Sequence, residues 1–216
     1  TATRNDEAII TGGIRVHDSA PLVDYIVVDG LKFIDNPLFI GSLNIRYEIS
    51  NCIVDGVTTT NGSGMQLNSA TPVGVVTNNL VQNTSYAGIL VDGFTAGVGN
   101  LTVTGNVIQN TPKQGLQLAN NIGTANISGN TFTNTNTSHD LDRGAIRLYG
   151  TNFSGPITIN GNTINSSYNC IAVRNLENIT GKTINITGNT FNADNSQFIY
   201  HGGTGTLTVL ASSNVY

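Results

Sequence analysis

Short runs of alternating apolar and polar residues recur along the chain, and most of them lead into a Gly-Asn or Asn-Asn pair. In the run from Leu101 to Thr104, a period of two places Leu101 and Val103 on one face of a strand and the threonines on the other. The same frame contains LTVTGNVIQN (101–110), ANISGNTFTN (125–134), ITINGNTINS (157–166) and INITGNTFNA (184–193). VGVVTNNLVQN (73–83) and IVVDGLKFID (26–35) are variants, and YEISNCIVD (47–55) fits with one residue deleted. The pattern predicts β-strands and no amphipathic helix.

The residue after the glycine gives a register mark for this repeat. The marks fall at Leu31, Asn51, Asn79, Asn106, Asn130, Asn162, Asn189 and Asn214. Their mean spacing of about 26 residues matches one solenoid turn, whereas a propeller blade needs about 40–45 residues. Two residues past each mark, an inward apolar column is expected: Phe33, Ile53, Val81, Ile108, Phe132, Ile164, Phe191 and Tyr216. The stacked Asn side chains are expected to bond to one another between coils.

A second strand recurs further along each repeat, as GMQL (64–67), GILV (88–91), GLQL (115–118), AIRL (145–148) and CIAV (170–173) show. The chain is therefore predicted to be all-β, a right-handed parallel β-helix (β-solenoid) of about eight coils, with two strand columns and a connecting segment per turn. We expect one domain over residues 1–216, as a fragment of a longer chain. Cys52 and Cys170 fall about five coils apart, too far for a disulfide, so two free thiols are expected.

Composition narrows the classes of partner. Charged residues make up 10% of the chain, the net charge is −4, and there is no basic run, so nucleic acid is not expected as a partner. No apolar stretch is long enough to span a bilayer. No metal-ligand spacing is present and no cofactor is expected, although Ca²⁺ bound by residues from separate coils stays open.

The G-N-x-I/F repeats, which cover roughly residues 9–216, resemble the parallel β-helix repeats of the pectate-lyase-like superfamily. That resemblance implies the fold and an extracellular or cell-surface setting. The superfamily includes lyases, hydrolases, epimerases, tailspikes and adhesins. The NTD, DD, GHG and RIK motifs of the polygalacturonase type are absent, as are the vWiDH and RxPxxR stretches of pectate lyases. The resemblance is therefore specific for fold and not for activity.

Candidate chemistry lies on outward positions of the second strand and on the longest connection. The outward pairs include Arg15 and His17, Gln117 and Ala119, Arg147 and Tyr149, Ala172 and Arg174, and Ile199 and His201. The 32-residue interval between Asn130 and Asn162 carries SHDLDRG (138–144), the densest group of ionisable residues. Candidate substrate-binding residues are Asp92, Gln117, His139, Asp140, Asp142, Arg143, Arg147, Tyr149 and Arg174, and candidate catalytic residues are Arg147, Tyr149, Arg174 and His201.

Three functions remain open from the sequence. The first function is that of a module that binds polysaccharide or another surface glycan. Arginine can bind carboxylates through two parallel hydrogen bonds, and tyrosine can stack on a sugar ring. The second is a polysaccharide lyase or epimerase, in which Arg or Tyr removes the C5 proton of a uronate. The third is a structural spacer. Neighbouring domains or subunits are expected to cover the ends of the solenoid.

Overall fold

The computed structural model describes residues 8–17, 25–41, 46–68, 73–174, 183–193, 199–202 and 208–216. Within these residues every regular element is a β-strand, and the strands pair in parallel with those of adjacent coils. The predicted parallel β-solenoid is confirmed. Its cross-section has three strand columns, however, rather than two columns and a connecting segment.

The strands of the three faces follow one another in each coil. The first face contains β1 (Ala8–Thr11), β4 (Leu31–Ile34), β7 (Ile53–Asp55), β10 (Leu80–Gln82), β12 (Val107–Thr111), β14 (Thr131–Thr135), β17 (Thr163–Ser166) and β20 (Thr190–Ala193). The second contains β2 (Ile14–His17), β5 (Leu38–Gly41), β8 (Met65–Asn68), β11 (Ile89–Thr104), β13 (Leu116–Ser128), β15 (Ile146–Phe153), β18 (Ile171–Arg174) and β21 (Ile199–Gly202). The third contains β3 (Tyr25–Asp29), β6 (Arg46–Ser50), β9 (Val73–Thr77), the C-terminal parts of β11 and β13, β16 (Ile157–Asn160), β19 (Thr183–Thr187) and β22 (Thr208–Ser212).

Each column has eight described strands, of which the six inner ones have a neighbour on both sides. The solenoid thus has about six fully enclosed turns, slightly fewer than the expected eight coils.

A bend with left-handed backbone conformation separates the third face from the first. The residues there have positive φ: Gly30, Asn51, Asn78, Gly105, Gly129, Gly161, Gly188 and Ser213. Glycine adopts this conformation without steric cost, and asparagine tolerates it better than most residues. The alternating run before the bend and the apolar run after it therefore belong to two faces, which explains the third column.

The register of the repeat that contains Asn51 and β7 differs from the expected one. Val54, not Ile53, pairs with Phe33 and Val81, and Val54 is fully buried. Asn51 occupies the bend position, so Cys52 occupies the position of the ladder asparagine. No residue is deleted in this repeat, because asparagine replaces glycine at the bend.

The interior is a continuous stack of apolar side chains. Phe33, Val54, Val81, Ile108, Phe132, Ile164 and Phe191 form one such column, each at most 2% exposed. Burial of one side chain of this size stabilises the fold by roughly 1.5–3 kcal/mol.

A ladder of buried asparagines runs beside this column. The Oδ1 atom of Asn130 accepts hydrogen bonds from the backbone N–H and from Nδ2 of Asn106, at 3.0 and 2.9 Å. The pattern continues through Asn79, Asn106, Asn130, Asn162, Asn189 and Asn214. At Cys52 the backbone N–H still donates to Asn79 Oδ1, and Sγ lies 3.5 Å from Val28 O, where the asparagines place Nδ2. The expected ladder is therefore present.

Both cysteines are buried and free, as expected. Burial raises the pKa of the Cys170 thiol to about 12 and also raises the pKa of Cys52. Burial therefore disfavours the reactive thiolate form of both cysteines. In the described part of the chain, no helix is long and apolar enough to cross a membrane.

Candidate functional site

The connection between β14 and β15, residues 136–145, folds back over the second face and is fixed at several points. Asn136 adopts a left-handed conformation, and its Nδ2 donates to the carbonyl oxygens of Asp140 and Arg143, both at 3.1 Å. From the next coil, Asn169 Nδ2 donates to the carbonyl oxygens of Leu141 and Arg143, at 2.8 and 2.9 Å. This 136–145 loop is thus held by hydrogen bonds to its own backbone and to the adjacent coil.

Arg147 lies on the outward side of β15, yet only 6% of it is exposed because the 136–145 loop covers it. Its Nη1 donates to Gln117 Oε1 at 2.9 Å, and its Nε donates to the carbonyl oxygen of Asp142 at 2.9 Å. Burial, and then the positive charge of Arg143, lowers the pKa of Arg147 to about 10. The guanidinium therefore stays charged at neutral pH.

Tyr149 supplies an aromatic surface beside this guanidinium. Arg147 Cζ lies 4.1 Å from the centre of the Tyr149 ring, which is a cation–π distance. Tyr149 follows Arg147 by two residues on β15, so both side chains point to the outward side of the strand. Arg174 pairs with Tyr149 in the register of β18 and brings a second guanidinium to the same column.

Arg174 forms an ion pair with the carboxylate of Asp142. Asp142 therefore contacts two arginines by different groups: its carboxylate meets Arg174, and its backbone oxygen meets Arg147. The side chains of this ion pair are 32% and 39% exposed for Arg174 and Asp142, respectively. Solvent reaches this pair, in contrast to Arg147.

A third arginine, Arg143, joins residues from three coils. Its Nη1 donates to Tyr86 Oη at 2.8 Å and to Gln114 Oε1 at 2.7 Å. Gln114 Nε2 in turn donates to Gln117 Oε1 at 2.8 Å, so Arg143 is connected to Arg147 through two glutamines. Burial raises the pKa of the Tyr86 hydroxyl, but the hydrogen bond and charge of Arg143 outweigh burial, and the net pKa is lowered.

The other side of the loop carries a separate ion pair. Lys113 Nζ lies 2.7 Å from Asp140 Oδ2, and the hydrogen bond from Lys113 lowers the pKa of Asp140. Counting these two residues, the cluster has four positive side chains (Lys113, Arg143, Arg147 and Arg174) and two negative ones (Asp140 and Asp142). Its formal charge is therefore +2, in a chain whose net charge is −4.

The structure brings most of the predicted site residues together. Gln117, Asp140, Asp142, Arg143, Arg147, Tyr149 and Arg174 belong to one connected cluster, and His139, on the same loop, stacks on Tyr168 with ring centroids 5.5 Å apart. Asp92 lies two strands from Tyr149 in the same column and accepts a hydrogen bond from Asn120. Their roles in binding remain predictions.

His201 does not align with the outward column in which it was expected. Strand β21 pairs with β18 so that Ile199 lies opposite Ile171 and His201 opposite Val173, both inward positions. Tyr200 and Gly202 take the register positions opposite Ala172 and Arg174. The expected register was one residue out, and the His201 side chain itself lies outside the described residues.

Sequence reasoning missed Tyr86, Lys113, Gln114, Tyr168 and Asn169. They lie in the short connections that lead from the first face to the second, just before β11, β13 and β18. A comparison of these connections between repeats, position by position, would have placed them beside the 136–145 loop. Only the strands show alternation, so the repeat pattern fixes no register for these connections.

Among the described residues, no group of three or more His, Cys, Asp or Glu side chains could hold a metal ion. Comparisons with known proteins add no assignment: no family model matches the chain, and neither curated proteins nor solved structures give a significant match. The contacts and charges of the cluster are therefore the basis for a functional proposal.

Proposed function

We propose that this protein is an extracellular or cell-surface module that binds acidic polysaccharide through its Arg147–Arg174 face, comprising Gln117, Arg147, Tyr149 and Arg174. The observation that carries the proposal is that the solvent-accessible Arg174 guanidinium shares an outward column with the Tyr149 ring, against which the buried, charged Arg147 guanidinium is held. A buried charge is costly to desolvate, and apolar residues of similar volume often stabilise a fold as well or better. A ligand with carboxylate groups gives this arrangement a use.

The chemistry of the face suits a polymer of uronate sugars. Guanidinium groups bind carboxylates with two parallel hydrogen bonds, and the Tyr149 ring offers an apolar surface for a sugar ring. The local charge of +2 attracts a polyanion even though the whole chain is acidic. Because the side chain of Arg174 is partly exposed to solvent, we expect binding to weaken with increasing salt concentration.

Native affinity electrophoresis in gels that contain polygalacturonate tests this proposal. A gel with methyl-esterified polygalacturonate has the same backbone without the charges and serves as the ligand control. We expect the wild type to be retarded only by the acidic polymer, and Arg174→Gln to lose most of the retardation. Arg15→Gln is the matched protein control, because Arg15 is exposed in the column of Arg147 but five strands away.

Equal retardation of the wild type and Arg174→Gln would contradict the proposal. The absence of retardation by any polymer would favour a structural spacer instead.

A second candidate function is lysis of the same polymer, and one observation favours it. Tyr86 has a net lowered pKa and shares Arg143 with the cluster. The Tyr86 oxygen could take the C5 proton of a uronate as the C4–C5 double bond forms and the C4–O bond breaks, and the tyrosine could then pass the proton that it took to the leaving oxygen. The product would be an unsaturated uronate, which absorbs ultraviolet light.

Incubation of the wild type and Tyr86→Phe with polygalacturonate separates lysis from binding. A rise in ultraviolet absorbance with the wild type, lost in Tyr86→Phe, would establish the lyase. Retardation in the gel without any rise in absorbance would leave a binding module.

A further inference from the structure

We propose that the Asp142 carboxylate occupies the position of a ligand carboxylate on Arg174 and thereby sets how strongly the site selects acidic over neutral polysaccharides. This inference rests on the function proposed above and assigns a specificity-determining residue to that site. Asp142 is the residue of the 136–145 loop whose carboxylate reaches the Arg147–Arg174 face.

The two contacts of Asp142 have separable roles. Its backbone oxygen accepts from Arg147 Nε at 2.9 Å and helps to orient that guanidinium. The part of Asp142 that contacts Arg174 is its carboxylate, and this is the oxygen-to-guanidinium contact that a uronate would make. A change confined to the carboxylate therefore alters the state of Arg174 and leaves the support of Arg147 in place.

The loop does not depend on the Asp142 side chain for its position. Asn136 and Asn169 bind the backbone oxygens of Asp140, Leu141 and Arg143, on both sides of Asp142. The substitution Asp142→Asn keeps the volume and removes only the charge. We expect the loop to stay in place in that variant.

The ion pair is weak enough for a ligand to displace. Both side chains are more than 30% exposed, and ion pairs between groups exposed to this extent contribute little because water screens them. A polymer that presents many carboxylates can replace Asp142 on Arg174, and its ionic contact compensates for the one that is lost. A neutral polymer cannot, so Asp142 excludes neutral chains from Arg174.

The test compares Asp142→Asn with Asp35→Asn in affinity gels that contain polygalacturonate or its methyl ester. Asp35 is the control for net charge, because it is exposed, directly follows β4 on the first face outside the cluster, and has a left-handed backbone conformation that asparagine tolerates. For Asp142→Asn we expect affinity for polygalacturonate to rise about two- to fivefold, the range that an exposed ion pair supports. Asp35→Asn should change this affinity by less than about twofold, and the ratio of acidic to esterified affinity should change only in Asp142→Asn.

The outcomes separate the two proposals. If the wild type binds polygalacturonate and both variants gain equally, net charge explains the gain and the role of Asp142 is overturned. If Asp142→Asn shows no gain, that role is also overturned while the binding function stands. Binding that appears only in Asp142→Asn supports the role of Asp142 but contradicts the binding function of the wild-type protein, and no binding by any variant overturns both.

Discussion

The asparagine ladder can be tested at Asn130, whose side chain makes hydrogen bonds to the coils on both sides. Substitution Asn130→Ala removes four of them: the two accepted from Asn106, and those that Nδ2 donates to Val103 O and to Asn162 Oδ1. The hydrogen-bond partners of Asn130 differ in which other hydrogen bonds they keep. Asn106 Nδ2 keeps Val76 O and Thr104 O, and Asn162 Oδ1 keeps the backbone N–H of Asn130.

The backbone N–H of Asn106 is the group that loses its acceptor inside the fold, where Asn106 is 0% exposed. An unsatisfied buried donor costs about 1–3 kcal/mol, and the other lost bonds add about 1–2 kcal/mol in total because their partners stay partly paired. We therefore expect Asn130→Ala to lower the free energy of unfolding by roughly 2–5 kcal/mol, a large share of the ~5–15 kcal/mol that is typical of a domain.

Urea unfolding of the wild type and two variants measures this change. The control is Asn126→Ala, because Asn126 is exposed on β13 of the same coil and should change the free energy of unfolding by less than about 0.5 kcal/mol. Solenoids can unfold coil by coil, so hydrogen exchange at the Asn106 amide adds a local measurement, and it should be faster in Asn130→Ala. Equal stability of the two variants, with unchanged exchange at Asn106, would refute the stabilising role of the ladder.

Two further predictions concern buried or half-buried polar groups. Tyr47 is 1% exposed, and its hydroxyl has no hydrogen-bond partner among the described residues. Tyr47→Phe should therefore raise the free energy of unfolding, measured with urea, by about 1 kcal/mol. A loss of stability would indicate that the hydroxyl has a partner. Burial raises the pKa of Asp92, although the hydrogen bond from Asn120 opposes this shift. The contribution of Asp92 to stability is therefore complete below the unfolded pKa of about 3.9, and it is lost as the pH rises through the folded pKa. Asp92→Asn should therefore raise the melting temperature at pH 7 more than at pH 3, and an equal change at both pH values would contradict the assignment.

The strands were predictable because their signal is local. Alternation in the run Leu101–Thr104 and the repeated Gly-Asn pairs identified the strands, the bends and the ladder without knowledge of distant contacts. The error at Cys52 has a local cause as well. Asparagine at position 51 can occupy either the bend or the ladder, and only the pairing of Val54 with Phe33 and Val81 decides between them.

The candidate site was predictable only in part. The outward position of Arg147 and the charged loop 138–144 follow from strand period and from the length of one repeat. Tyr86 and Gln114 did not follow, because they come from connections whose sequences do not alternate. The burial of Arg147 was not predicted either, since an outward strand position is exposed until a loop from elsewhere in the coil covers it.

By itself, the sequence determined that this chain forms a parallel β-solenoid with an apolar interior and a buried amide ladder. In a repeat of about 26 residues, the same contact between neighbouring coils recurs once per coil. Each coil needs only its neighbours to bury its apolar side chains. The tertiary structure alone decided the third strand column, the register of β21 and the clamping of the 136–145 loop over Arg147. Those features depend on how residues from different coils meet across a turn, and a one-dimensional period carries no information about that meeting.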